Sequence, residues 1–543
     1  MNLNSHLFQR MFHLPPPVTR DLVVEHDLRV PMRDGAVLLA DRWAPKTGGD
    51  GLPTALIRVP YGRAGTAVGP MVRPLAERGF QVLIQSTRGT FGSDGPFDPL
   101  RCERDDGLDT LDWVIKQPWF GDSMILSGGS YLGFVQWAVA DAVPPQVKAM
   151  IPLVSESALT LEFLRSDGFS LETPFNWGVM VAGQEGRFAM PRQLLGAKKT
   201  LRALSTLPLS QADTAALGHR YEYIQDILTH PTDDPFWSAA DHRHRVADIT
   251  VPASVIGGWY DIFLPGQLRD YRVLQDTGRS TPLRLTVGPW PHTSLEVGGL
   301  SAREAVDFGL ALCRGEQPAE RAPVRLFVMG EGKWRDFPSW PPPGYAPQRF
   351  HLRPGAALAT EPPPADAAPD GYRYDPADPT PALGGARMSF AAKAGSVDQT
   401  KLEARPDVLT YTTSVLDQDV EVIGEVSAEI FFRSSLPYAD VFVRLCDVDE
   451  KGRSVNVCDG LISLTDADEL TRATVRLWPT AYRFKRGHRI RVQISSGAFP
   501  RYNRNPGTGE PRATATTLRA ADQQVFHDLE RPSAIILPVR QAA

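Results

Sequence analysis

A single hydroxyl stands at the apex of Ile125-Leu126-Ser127-Gly128-Gly129-Ser130-Tyr131-Leu132-Gly133-Phe134. The segment passes from an apolar strand-like stretch, through a glycine-dense corner, into an apolar helix start. A serine alcohol is a poor nucleophile in water. A tight strand-to-helix turn exposes its oxygen and sets it over the helix N-terminus, where backbone N–H groups lack partners. The spacing predicts such a turn at Ser130, with Gly128 and Gly133 required because a side chain at either would strike adjoining backbone. Leu132 stands where the commoner Gly-x-Ser-x-Gly string has its second glycine. Taken alone, the segment also fits a glycine-rich turn with an incidental serine.

A serine nucleophile needs a histidine base, and the base needs a carboxylate to fix its tautomer and stabilise the imidazolium. Gly257-Gly258-Trp259-Tyr260-Asp261 follows one apolar run, and Gly288-Pro289-Trp290-Pro291-His292 follows the next. Singly, Asp261 fits a turn cap and His292 a surface-loop histidine. Together with Ser130 they give the order Ser, Asp, His at strand ends, which is the chain order of the α/β-hydrolase fold. Acyl transfer also needs donors for the developing oxyanion, and the backbone N–H of Tyr131 follows from the turn itself. The second donor belongs to the loop after an early strand, here Val59-Pro60-Tyr61-Gly62-Arg63, which has no glycine triplet. The Tyr61 hydroxyl is the substitute, and a core-packed loop aromatic is the other reading of that residue.

Elements to position these groups are legible as apolar runs at 55–59, 82–84, 124–126, 149–153, 253–256 and 283–287. Such runs predict strands buried on both faces. A helical pattern at 105–116, with Leu108, Leu111 and Ile115 on one face, predicts the crossovers of a parallel sheet. Ser130, Tyr61, Asp261 and His292 then fall beyond the carboxyl ends of strands, where open sheets bind ligands. The expected division is a hydrolase core over 1–154 and 249–317, interrupted by a helical, aromatic-rich cap over 155–248 that includes Phe163 and Trp177. Residues 318–543 turn to proline-rich corners and period-two alternation. Val441, Val443 and Leu445 against Phe442, Arg444 and Cys446 predict antiparallel strands with one wet face, in a β-sandwich or jelly roll.

The totals narrow the partners. Lys and Arg (58) nearly balance Asp and Glu (63) along 543 residues, so no basic stripe invites nucleic acid or an anionic membrane. Four cysteines form neither a disulfide framework nor a metal knuckle, and no signal-like or membrane-spanning run is present, so a cytoplasmic protein is expected. His242 and His244 lack a third ligand at metal spacing and are expected in a solvated loop. No metal or organic cofactor is expected. The aromatic-rich cap offers a surface for a homodimer.

The chain resembles the cocaine esterase-like CocE/NonD serine hydrolases of the Xaa-Pro dipeptidyl-peptidase superfamily. The resemblance runs through Pro31-Met32-Arg33-Asp34-Gly35, Arg58-Val59-Pro60-Tyr61, Ser86-Thr87-Arg88-Gly89, Gln117-Pro118-Trp119, Gly128 to Gly133, Trp259-Tyr260-Asp261, Gly288 to His292, Trp334-Arg335 and Gly487-His488-Arg489. It covers nearly the whole chain. It implies an α/β-hydrolase core, a helical cap and a C-terminal jelly roll of the galactose-binding type. It also implies Ser130 as nucleophile, His292 as base and acid, Asp261 as orienting carboxylate, and Tyr61 with the Tyr131 N–H as the oxyanion hole. Phe263 resembles a family pocket aromatic, and Trp177 in the cap is a second candidate; core packing is the other reading of both. Amino-acid ester hydrolases of the family place carboxylates just after the catalytic aspartate, where this chain has Ile262-Phe263-Leu264. That apolar stretch argues for neutral acyl or aryl esters over α-amino substrates or a dipeptidyl-peptidase. An amidase or acylase, and a non-catalytic carbohydrate- or partner-binding protein, are the alternatives.

Overall fold

The computed structural model describes residues 3–64, 68–159, 164, 168–186, 189–389 and 392–541; Phe163 lies outside them. The chain forms two compact units. The first comprises Met1–Leu161, Asp234–Gly258 and Phe263–Arg325, the second Glu162–Asp233, Trp259–Ile262 and Leu326–Ala543.

All six apolar runs are strands. Preceded by β1 (Leu22–Pro31) and β2 (Val37–Pro45), they are β3 (Thr54–Val59), β4 (Gln81–Ser86), β5 (Met124–Gly129), β6 (Val147–Leu153), β7 (Ala253–Tyr260) and β8 (Leu283–Pro291). They lie in the order β1-β2-β4-β3-β5-β6-β7-β8. Pairing is antiparallel for β1 with β2 and β2 with β4, and parallel from β4 through β3, β5 and β6 to β7. Every residue of β3, β4 and β7 is buried. That is why their sequences show continuous apolar runs, and why a strand such as β3 can carry Ile57 and Val59 side by side with Arg58 only where a buried partner awaits it. Each fully buried aliphatic side chain contributes about 1.5–3 kcal/mol.

The helix expected at 105–116 spans Glu103–Val114, and its buried face is mixed. Leu111 is buried as expected, with Val114, but Glu103, Asp106 and Thr110 are buried too, whereas Leu108 and Ile115 are partly exposed. Buried polar partners decide this: Arg88 pairs with Asp106 at 2.6 Å, and Gln85 donates to Thr110 at 2.9 Å. His242 likewise departs from a solvated loop, while His244 is exposed. The His242 ring is 3% exposed, lies 5.3 Å from that of Phe134, and burial pushes its pKa down to about 4.

In the second unit, helices Glu172–Ala182, Ala189–Ala203, Ala212–Leu217 and Glu222–Thr229 lie within the expected cap segment. The remainder is β-rich. The long strand Val420–Ser434 pairs antiparallel with Thr471–Phe484, Ala521–Phe526 and Ala534–Arg540, and Ala439–Val448 pairs with Ser454–Leu464 and Arg489–Ser495. The wet face expected on Ala439–Val448 is absent: all ten residues are buried. Arg444 is buried because it meets Asp459 at 3.3 Å and the side-chain Oε1 of Gln399 at 2.6 Å. A buried guanidinium survives only with such partners. The fold is therefore an α/β-hydrolase core with a helical insertion, followed by a β-rich domain. No described helix is long and apolar enough to cross a membrane.

Candidate active site

Ser130 occupies the corner between β5 and the helix α1 (Tyr131–Trp137), with φ 58° and ψ −123°. A residue with a Cβ is strained there by about 1–3 kcal/mol, and such strain persists only where surroundings enforce it. The enforcement is visible. The Ser130 N–H donates to Leu153 O at 2.8 Å, and its carbonyl accepts from the N–H groups of Gly133 and Phe134, each at 2.9 Å. Gly128 has φ 140°, and a Cβ on it would lie 2.5 Å from the Leu132 Cβ; one on Gly133 would lie 2.4 Å from the Ser155 Cβ. The obstacles are thus rigid side-chain stems more than the expected backbone. Leu132, in the place of the second glycine, is itself what excludes a side chain at Gly128.

His292 follows β8 in a tight turn that enters the helix Leu295–Glu304. Two glycines let this strand end pack closely. A Cβ on Gly258 would meet Trp290 O at 2.2 Å, and one on Gly288 would enter the Trp290 ring at 2.3 Å. The turn delivers His292 Nε2 to 2.9 Å from Ser130 Oγ, joining residues 162 positions apart. At this distance Nε2 can take the serine proton, which requires the ring's other nitrogen, Nδ1, to carry the hydrogen. Phe263, 4% exposed and directly before the helix Leu264–Asp276, sets its ring edge-on to His292 with centroids 5.4 Å apart.

The other expected residues have these places. Asp261 directly follows β7 and is fully buried. Tyr61 is partly exposed in the turn just beyond β3, the strand paired beside β5. Tyr131 opens α1, so its N–H belongs to the first turn, where helices leave donors without intrahelical acceptors. Its phenol points inward instead, 2% exposed, donating to Glu103 Oε1 at 2.6 Å and accepting from Leu100 N at 2.9 Å. Trp177, in the helix Glu172–Ala182, packs edge-to-face on Tyr223 with centroids 4.9 Å apart. Sequence reading missed Glu103. With Asp105 and Asp106 it looks like ordinary first-turn acid complementing a helix dipole, and nothing local marks it as buried. Among the described residues no cluster of His, Cys, Asp and Glu could hold a metal.

Residues 34–294 match the family described as X-Pro dipeptidyl-peptidase (S15 family), and residues 319–536 match the X-Pro dipeptidyl-peptidase C-terminal non-catalytic domain. The chain is 32% identical to the cocaine esterase of Rhodococcus sp. (strain MB1 Bresler), across 95% of its own length and 98% of that relative's. The chain belongs to the CocE/NonD serine hydrolases of the S15 family. The CocE/NonD fold recurs in an aminopeptidase from a marine sediment Thaumarchaeota archaeon, 23% identical with a TM-score of 0.81 over 97% of this chain and 98% of that one. It recurs also in a CocE/NonD family hydrolase from Staphylococcus aureus, 17% identical with a TM-score of 0.70 over 95% and 94%. As a CocE/NonD member the protein is a serine hydrolase of the esterase type.

Proposed function

We propose that the protein cleaves carboxylic esters of neutral acyl or aryl groups through an acyl-enzyme formed on Ser130. One observation carries this reading: the 2.9 Å contact of His292 Nε2 with a serine hydroxyl held at φ 58° on a nucleophile turn. Ser130 Oγ attacks the ester carbonyl as His292 takes its proton. The tetrahedral oxyanion is held by the Tyr131 N–H and the Tyr61 hydroxyl, each worth roughly 3–4 kcal/mol in comparable sites. His292 then returns the proton to the leaving alcohol, and water repeats the sequence to release the acid. Asp261 is the carboxylate assigned to hold Nδ1–H and stabilise the imidazolium. Its complete burial suits that task, because an unsolvated carboxylate interacts more strongly with a developing positive charge.

Substrate preference follows from what surrounds the base. Ile262, Phe263 and Leu264, which follow Asp261, are buried and uncharged, and Phe263 lies against the His292 ring, which favours a neutral acyl or aryl group over a substrate ammonium. Phe263 and Trp177 are assigned to contact the acyl or leaving group. The Rhodococcus relative, named as an esterase, supports an ester over an amide.

The test is turnover of a matched panel of aryl esters, aryl amides and α-amino esters, with Ser130→Ala as control. Ester cleavage lost in the control, with α-amino esters disfavoured, is the expected result. Absence of ester turnover, or full activity in Ser130→Ala, overturns the assignment.

A further inference from the structure

Behind the nucleophile turn lies a buried polar chain that no step of the proposed chemistry uses. The Tyr131 hydroxyl donates to Glu103 Oε1 at 2.6 Å and receives the N–H of Leu100 at 2.9 Å. Leu100 holds φ 73°, a left-handed conformation that a leucine adopts only under constraint. Glu103 Oε2 lies 2.7 Å from Arg58 Nη1, and that same nitrogen donates to the Glu103 carbonyl at 3.0 Å. Arg58 Nε donates to Gln85 Oε1 at 2.7 Å, and Gln85 Nε2 to Thr110 Oγ1 at 2.9 Å. Tyr131, Glu103, Arg58, Gln85 and Thr110 are all buried, at 3% exposure or less. A Cβ on Gly107 would lie 3.2 Å from Arg58 Nη1 and 2.7 Å from a Val139 methyl, so the helix carrying Glu103 rests tightly on this chain.

The two ends of the chain matter. Tyr131 directly follows Ser130 and supplies the first oxyanion donor; Arg58 sits on β3, three residues before Tyr61, which supplies the second. We infer that the Tyr131 phenol, Glu103 and Arg58 form a positioning brace that fixes the Tyr131 N–H relative to the Tyr61 loop and so sets the geometry of the oxyanion hole. This rests on the oxyanion assignment proposed above. Tyr131 thus serves through its backbone at the reacting centre and through its side chain as an anchor. Glu103 and Arg58 are positioning residues that touch no substrate.

The physical case is that oxyanion donors work only when preorganised. A donor lost outright costs about 10²–10³ in kcat, and misplacement by about 1 Å costs about 10². Tyr131→Phe keeps the ring and its packing and removes only the hydroxyl. The N–H remains but is free to shift, so a loss of roughly tenfold in kcat is expected, short of outright removal. Ground-state binding does not use the oxyanion geometry, so KM should stay within about twofold.

The experiment measures kcat, KM, the inhibition constant of an aryl boronic acid, and Tm for the wild type and three full-chain variants. Tyr131→Phe is expected to lose about tenfold in kcat and in boronic acid affinity together, because the tetrahedral boronate occupies the same hole. Glu103→Ala should reproduce that loss. Glu103→Gln keeps an oxygen to accept the phenol's hydrogen but turns an NH2 toward Arg58, so it should lose less in kcat and boronic acid affinity than Glu103→Ala. Lowered Tm in Tyr131→Phe with kcat and boronate affinity unchanged, on the basis of titrated Ser130, overturns the brace and leaves a merely structural network. An unfolded Glu103→Ala leaves the decision with Tyr131→Phe. A wild type without Ser130-dependent ester turnover is a different result, because it refutes the proposed function itself.

Discussion

Ser130 should be a site where glycine is more stable than alanine. The backbone holds φ 58° and ψ −123° there, a conformation that a Cβ resists. Ser130→Ala and Ser130→Gly both remove the hydroxyl and hence the 2.9 Å contact with His292 Nε2, so their difference isolates the Cβ. The Cβ in this region costs about 1–3 kcal/mol. Glycine returns about 0.5–1 kcal/mol of that through its greater freedom in the unfolded chain. The net expectation is about 1 kcal/mol in favour of Ser130→Gly, the reverse of the order found in helices and strands. For a cooperative unit of 150–250 residues this is about 2–4 °C in Tm. Scanning calorimetry of the two variants, both without esterase activity, reads it directly. Equal melting temperatures, or a higher one for Ser130→Ala, would refute strain at the nucleophile turn.

His292→Ala should lower kcat by about 10⁶ while Tm stays within a few degrees, since a turn histidine carries little packing; esterase kinetics and circular dichroism check both halves. Tyr61→Phe should lower kcat by about 10²–10³ with KM little changed, and a variant with wild-type kcat removes Tyr61 from the oxyanion hole. His242 predicts an acid-sensitive stability. Burial holds its pKa at about 4 against an ordinary 6.5, so between these values the unfolded chain binds a proton that the folded chain refuses. The contribution is complete above pH 6.5 and is lost as pH falls towards 4, by roughly 3 kcal/mol at most. Urea unfolding at pH 7, 6, 5 and 4 should show a shallower decline for His242→Leu; identical declines would contradict the assignment.

The core strands could be read in advance because their physics is local to the chain. A strand buried on both faces is mostly apolar, so β3 to β8 stand out as runs between polar stretches. The nucleophile turn was legible for a similar reason: glycine at 128 and 133 leaves room for the close approach of Leu132 and Ser155 that a tight corner at Ser130 requires. The faces of elements were less legible. Leu108, Leu111 and Ile115 suggested one buried side for the helix Glu103–Val114; Leu111 is buried, but Leu108 and Ile115 are partly exposed and Glu103, Asp106 and Thr110 are inside. Arg444 looked like the wet side of its strand and is buried against Asp459. In each case the deciding partner comes from another element, and burial of a charge depends on that partner being there.

By itself the sequence determined the elements and the order of the chemical groups, because periodicity, glycine spacing and apolar runs act over a few neighbouring residues. Tertiary structure alone decided that His292 Nε2 reaches Ser130 Oγ, that Phe263 lies against that imidazole, and that a phenol, a carboxylate and a guanidinium lock together behind the nucleophile. Those contacts are made in space between residues far apart in the chain, and only the closing of the sheet brings them within a hydrogen bond's length.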